Sequence, residues 1–173
     1  MKNTRLIFFL IQLIVFPIIA QTNFKLSDPF CLELLKGNFS ADSFSTRPII
    51  SNKNLNYFLN QNLNKDSIEY FLKGIVSFQN RNTVNDFMDK PNQGIRGARN
   101  WIKALLDKWS KRPGADLFTC EFEFDYLMCN RTRHSQLLSI IPGNGPLRKE
   151  LVIVEAHLDS RCEILCDTLC LAE

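Results

Sequence analysis

Of the two histidines in this chain, one stands where chemistry is readily placed. His157 follows the apolar run Leu151-Val152-Ile153-Val154, and Asp159 lies two residues beyond it. In an extended segment, residues two apart point the same way. The Asp159 carboxylate would then take the proton of one ring nitrogen of His157. That fixes the tautomer and leaves the other nitrogen free as a metal ligand. The spacing alone carries little, because a histidine near an aspartate is more often an ordinary hydrogen-bonded side chain. His134 follows Arg131-Thr132-Arg133 in a polar stretch and reads as a solvated loop histidine.

The elements that must position His157 are legible in the hydrophobic pattern. Leu151 to Val154 is continuously apolar, as in a strand buried on both faces, so a strand is predicted over 150–156, the most buried of the chain. In open α/β sheets, ligands gather at the carboxyl ends of such strands, which is where His157 would sit. Ile68, Phe71, Leu72, Ile75, Val76 and Phe78 recur at helical spacing and predict a helix over 66–80, capped by Asp66 or Ser67. Ile95, Ala98, Ile102, Leu105, Leu106 and Trp109 form one stripe of a second helix, 94–109, docked on a sheet. Alternation predicts strands near 117–125 and 136–141, the latter stopped by Pro142-Gly143-Asn144-Gly145-Pro146. Residues 21–65 read as a loop-rich segment, dense in asparagine between Asn52 and Asn64. The order of elements suggests the opening half of an α/β sandwich.

Lys2 and Arg5 precede an apolar run from Leu6 to Ile19 that ends at Ala20. A basic start, a short apolar core and a small final residue describe a secretory signal peptide, with Gln21 as the new amino terminus. The run is short for a spanning helix, so no membrane association is expected after cleavage. Outside residues 1–20 the net charge is +1, which gives nucleic acid no electrostatic footprint. All six cysteines (Cys31, Cys120, Cys129, Cys162, Cys166 and Cys170) lie in the mature part. In an oxidising compartment they read as disulfides, with the connectivity open. Cys162, Cys166 and Cys170 could instead hold a metal along one helical face, a reading that ranks behind disulfide pairing. Asn38-Phe39-Ser40 and Asn130-Arg131-Thr132 are sequons for glycosylation.

The stretch Leu151-Val152-Ile153-Val154-Glu155-Ala156-His157-Leu158-Asp159-Ser160-Arg161 resembles the first zinc motif of metallopeptidase family twenty-eight, which includes secreted di-zinc aminopeptidases. Upstream, Ile68 to Arg81 is similar to that family's helix and "SF-x-x-R" element, and Gly94 to Leu105 to its next helix. Gln136 to Gly143 resembles, by context only, the strand that ends in a glycine turn; Ser135 and Gln136 replace its customary Asn-Val start. The similarity spans about residues 66–173. It implies the amino-terminal part of a three-layer α/β/α zinc-peptidase (phosphorylase/hydrolase-like) sandwich with a mixed sheet, incomplete here. It implies His157 as a zinc ligand and Asp159 as the carboxylate that orients it. Two zinc ions and a peptide substrate with a free amino terminus are implied for the full-length relative.

The family pattern continues into a segment bearing a bridging aspartate, then glutamates and a second histidine; this sequence reaches Cys170-Leu171-Ala172-Glu173 where that segment would begin. Asp167, inside the cysteine-rich stretch, is not taken as the bridging ligand. One expected zinc ligand is present, whereas catalytic zinc takes about three. The expectation is an amino-terminal fragment of a secreted zinc aminopeptidase, inactive by itself. A non-catalytic secreted module of the same fold is the alternative. A glutaminyl-cyclase-like zinc enzyme is another, although Arg161 and the cysteine-rich stretch resemble the aminopeptidase branch more. A disulfide-built inhibitor is discounted, since the cysteines are too sparse to make the fold.

Overall fold

The computed structural model describes residues 23–44, 52–86, 90–129, 131–143, 146, 150–160 and 166. The signal-peptide reading of residues 1–20, the sequon at Asn130, and Arg161, Cys162, Asp167 and Cys170 lie outside the described residues. Three strands and four helices follow in chain order: β1 (Phe24–Leu26), α1 (Pro29–Leu35), α2 (Asn52–Asn62), α3 (Lys65–Val76), α4 (Gly94–Ser110), β2 (Phe118–Met128) and β3 (Arg131–Ile140). Helices and a small sheet together place the chain in the general α/β class. Every described strand pair is antiparallel, in the order β1-β2-β3; the resemblance implies a mixed sheet, of which the described residues form this antiparallel part alone.

Strand alternation decides what lies on each face of the sheet. Phe118, Cys120, Phe122 and Phe124 share one face. Phe30 of α1 meets Phe118 edge-on at 5.2 Å, so α1 covers that face. Glu121 points the other way, toward Arg99 of α4, with Arg99 Nε 3.9 Å from Glu121 Oε2. The sheet therefore carries α1 on one side and α4 on the other. Ile95 and Ala98 of the predicted stripe are buried, and Ile102, Leu105, Leu106 and Trp109 are half-buried. The α4 helix runs Gly94–Ser110, within a residue of its predicted bounds.

α3 packs across α4 through rings: Phe71 lies 5.8 Å from Trp109, and Tyr70 lies 6.0 Å from Trp101. Gly74 lets this happen, because a Cβ there would stand 2.4 Å from Trp101 Cη2. α3 starts a residue early and ends at Val76. Its cap is Asn64, not Asp66 or Ser67: Asn64 Oδ1 accepts from Asp66 N at 2.8 Å and Ser67 N at 3.4 Å.

Four further readings are corrected. The segment taken as loop-rich holds β1, α1 and α2. Asp28 caps α1, and Pro29 sits in its first turn, where a missing N–H costs nothing. β3 begins at Arg131, well before the predicted 136, because the chain reverses tightly at Cys129, which has φ +48°. His134 is consequently a strand residue, 1% exposed and stacked on Phe124 at 5.7 Å, not a solvated loop histidine. Finally, residues 150–156 form no strand. Val152 is 84% and Val154 92% exposed, the reverse of the most buried strand of the chain. An apolar run becomes a buried strand only when neighbouring strands flank it. Among the described residues none pairs with this one.

Candidate functional site

The His157 segment is held by the loop that follows α3. Arg81 and Ser160 bind each other twice through the main chain of Arg81: Arg81 N donates to Ser160 Oγ (3.3 Å) and Ser160 N to Arg81 O (3.2 Å). Arg81 Nε donates to the Leu158 carbonyl at 2.9 Å, while Nη1 donates to the Ile75 carbonyl at 3.0 Å and the Gln79 carbonyl at 3.2 Å. One guanidinium thus ties the carboxyl end of α3 to the segment 158–160. Burial pulls the Arg81 pKa down from its ordinary value, and the nearby Asp159 charge acts against that. Exposure drops accordingly, from the open residues 151–157 to the half-buried 158–160.

Within this anchored segment the predicted pair is formed. His157 Nδ1 and Asp159 Oδ1 are 2.9 Å apart. Asp159 Oδ2 accepts from Thr83 Oγ1 at 3.2 Å, so both carboxylate oxygens are engaged. A carboxylate only accepts, so Nδ1 is the donor, and in the neutral imidazole Nε2 is then the nitrogen with the lone pair. The His157 side chain is 95% exposed, which leaves Nε2 open to solvent. One ring nitrogen is braced by a carboxylate while the other faces solvent.

The anchoring loop is itself rooted in the core. Asn82 and Asp86 are buried on either side of a short turn, Thr83–Asn85. Asn82 Oδ1 accepts from Val84 N at 3.1 Å. The Asp86 carboxylate pairs with Arg99 Nη1 through Oδ1, and its Oδ2 accepts from Ser135 N at 3.0 Å. Ser135 lies on β3, a strand with one neighbour in the described sheet. Asp86 therefore caps the outer edge of β3 and fixes the 81–86 loop to helix and sheet at once. Arg81 stands in the sequence as part of a recognised element, but nothing in the sequence marked Thr83 or Asp86 as its collaborators. Their roles arise from the turn at Thr83–Asn85, which sets Thr83 against Asp159 and Asp86 against Arg99.

The cysteine-rich stretch is tied in from the other end. Cys129, at the tip of the β2–β3 hairpin, forms a disulfide with Cys166, their Cα atoms 5.6 Å apart. An open polar recess of about 400 Å³ lies between the carboxyl end of α3 and the start of α4, lined by Gln79, Asn80, Asn85 and Gln93 among others. Neither His157 nor Asp159 lines it.

Zinc binding needs more than this dyad. Among the described residues, no group of three or more His, Cys, Asp or Glu side chains is placed to hold a metal ion. A lone imidazole does not make a zinc centre. The described donor set does not fit a catalytic zinc site on its own. Among the described residues no helix is long and apolar enough to cross a membrane. Comparison of the chain with known protein families, with curated proteins and with solved structures finds no match.

Proposed function

We propose that this chain is the amino-terminal part of a secreted zinc-dependent aminopeptidase, in which His157 is a zinc ligand and Asp159 its orienting carboxylate. One observation supports the reading above the rest. His157 holds a defined tautomer against Asp159 at 2.9 Å, on a segment otherwise anchored by Arg81 and Thr83, yet its ring stands in solvent. The ring is braced from behind and open in front, as a carboxylate holds a metal-binding histidine. The finer three-layer zinc-peptidase architecture belongs to the same proposal, as does a peptide substrate with a free amino terminus. On the same proposal the chain alone turns nothing over, since His157 is one of the roughly three protein ligands that a catalytic zinc takes.

A non-catalytic secreted module of the same fold is the second reading, favoured by that same lone imidazole. One experiment separates the two. Residues 21–173 are assayed on amino-acid anilides with and without zinc, then joined to the carboxyl-terminal half of an aminopeptidase of the resembled family. The unfused chain turns nothing over. The fusion gains zinc-dependent turnover, which His157→Ala abolishes. A folded, zinc-loaded fusion without activity supports the module instead. Full activity of the fused His157→Ala protein removes His157 from the metal site.

A further inference from the structure

Cys31 on α1 and Cys120 on β2 are both fully buried, at 0% exposure. The contact around them is built from several directions. Phe30 and Phe118 meet edge-on at 5.2 Å, and Ser27 N donates to the Glu121 carbonyl at 2.9 Å. In return, Glu121 N donates to Ser27 Oγ at 2.9 Å. β1 pairs with β2 immediately alongside, Leu26 opposite Phe122. The two cysteines sit beside the rings that make this contact, Cys31 next to Phe30 and Cys120 two residues from Phe118. We propose that Cys31 and Cys120 are a second oxidation site of this protein, joined in its mature form as a disulfide that fastens α1 to the sheet.

The bond closes by exchange with a disulfide-bearing oxidant, either glutathione disulfide or an oxidoreductase of the same chemistry. The thiolate of one cysteine attacks the oxidant's disulfide and expels one thiolate. The second cysteine then attacks the mixed disulfide and expels the other. Two electrons pass from the cysteine sulfurs to the oxidant, and the two protons they lose end on the released thiols. The same oxidant would close the Cys129–Cys166 pair.

Burial determines when exchange is possible. It pushes the Cys120 thiol up to about 12, with the adjacent Cys31 adding to the effect, and it raises Cys31 as well. Thiolate is the reactive form, so once α1 has docked the pair is slow to exchange in either direction. Oxidation therefore belongs to the folding chain, and the finished bond is shielded from reductant. The two cysteines lie about 90 residues apart, and closing so long a loop removes much conformational freedom from the unfolded chain. The competing account is a pair of inert thiols packed as small apolar groups.

The full chain is folded in mixed reduced and oxidised glutathione, denatured in an alkylating reagent, and digested without reduction. A linked peptide pair containing Cys31 and Cys120, lost on reduction, is the expected product. Alkyl label on both cysteines, or a link from either to another cysteine, overturns the proposal. A melting measurement gives a second reading. Reduction lowers the melting temperature of the wild type by roughly 5–15 °C more than that of Cys31→Ala/Cys120→Ala. Equal shifts in the two proteins overturn it, and the peptide map decides the matter if the double variant does not fold.

Discussion

Asp159 uses its two oxygens in different directions, Oδ1 toward His157 and Oδ2 toward Thr83. A carboxylate held at one end by a hydroxyl cannot swing away freely from the imidazole. It therefore selects the tautomer with the proton on Nδ1 and holds the ring plane. This orientation exists without any metal and is measurable without one. In nitrogen NMR of the imidazole at about pH 8, where histidine is ordinarily neutral, the wild type is expected in the Nδ1–H form. Asp159→Ala should move His157 toward the Nε2–H form, and Thr83→Val should blur the preference part of the way. Identical spectra for wild type and Asp159→Ala would mean the hydrogen bond does not persist in solution, and the dyad would then lose its claim to be a prepared ligand. The two side chains were legible in the sequence because an extended segment puts alternate residues on one side. The bracing by Thr83 and Arg81 was not, since those residues lie more than seventy positions upstream and are brought in by a turn.

The turn that brings them in depends on the buried Asp86–Arg99 pair, which joins the 81–86 loop to α4 and, through Ser135 N, to β3. Both side chains are nearly inaccessible, at 2% and 5% exposure. Removing one partner leaves the other charge buried and uncompensated, a cost of about 3–5 kcal/mol. Arg99→Ala should therefore cost more in urea unfolding than Lys103→Ala, whose partly exposed pair with Asp107 contributes at most about 1 kcal/mol. Similar losses in both would show that Asp86 finds water or another partner once Arg99 is gone. The same comparison explains how far pattern reading carries. α4 is legible to within a residue because six apolar positions repeat on one face, but nothing in that stripe marks Arg99 as buried. A charged side chain pairs inward when an opposite charge is already buried, and Asp86 arrives from outside the helix. α2 went unread for a related reason. Leu55, Phe58 and Leu59 are helically spaced, but the intervening asparagines are weak helix formers and suggest loop. His134 was misplaced by its polar neighbours, although alternation with Phe124 across the hairpin is what buries it.

Helices on opposite faces of the three-stranded sheet give the protein a core, yet much apolar surface remains uncovered among the described residues. Leu72 and Val76 of α3 are exposed, and Leu151 to Val154 stand in solvent although the end of their segment is pinned to Arg81. Their sequence has the character of a buried strand, and their present surroundings supply no strand to bury them. Four adjacent exposed apolar residues of high β-propensity are an association hazard. Residues 21–173 should bind a hydrophobic dye and form soluble aggregates as concentration rises. The double variant Val152→Lys/Val154→Lys tests where that stickiness resides. Side chains 84% and 92% exposed make few contacts to lose, so the melting temperature should stay within about 2 °C of the parent, as for surface substitutions generally. Dye binding and aggregation should fall together, because charge on an extended apolar edge opposes pairing with a second copy. A large drop in melting temperature would mean that the run is packed in solution as the buried strand its sequence describes. Unchanged dye binding with unchanged stability would shift the sticky surface to the open side of α3, where Leu72→Lys is the corresponding test.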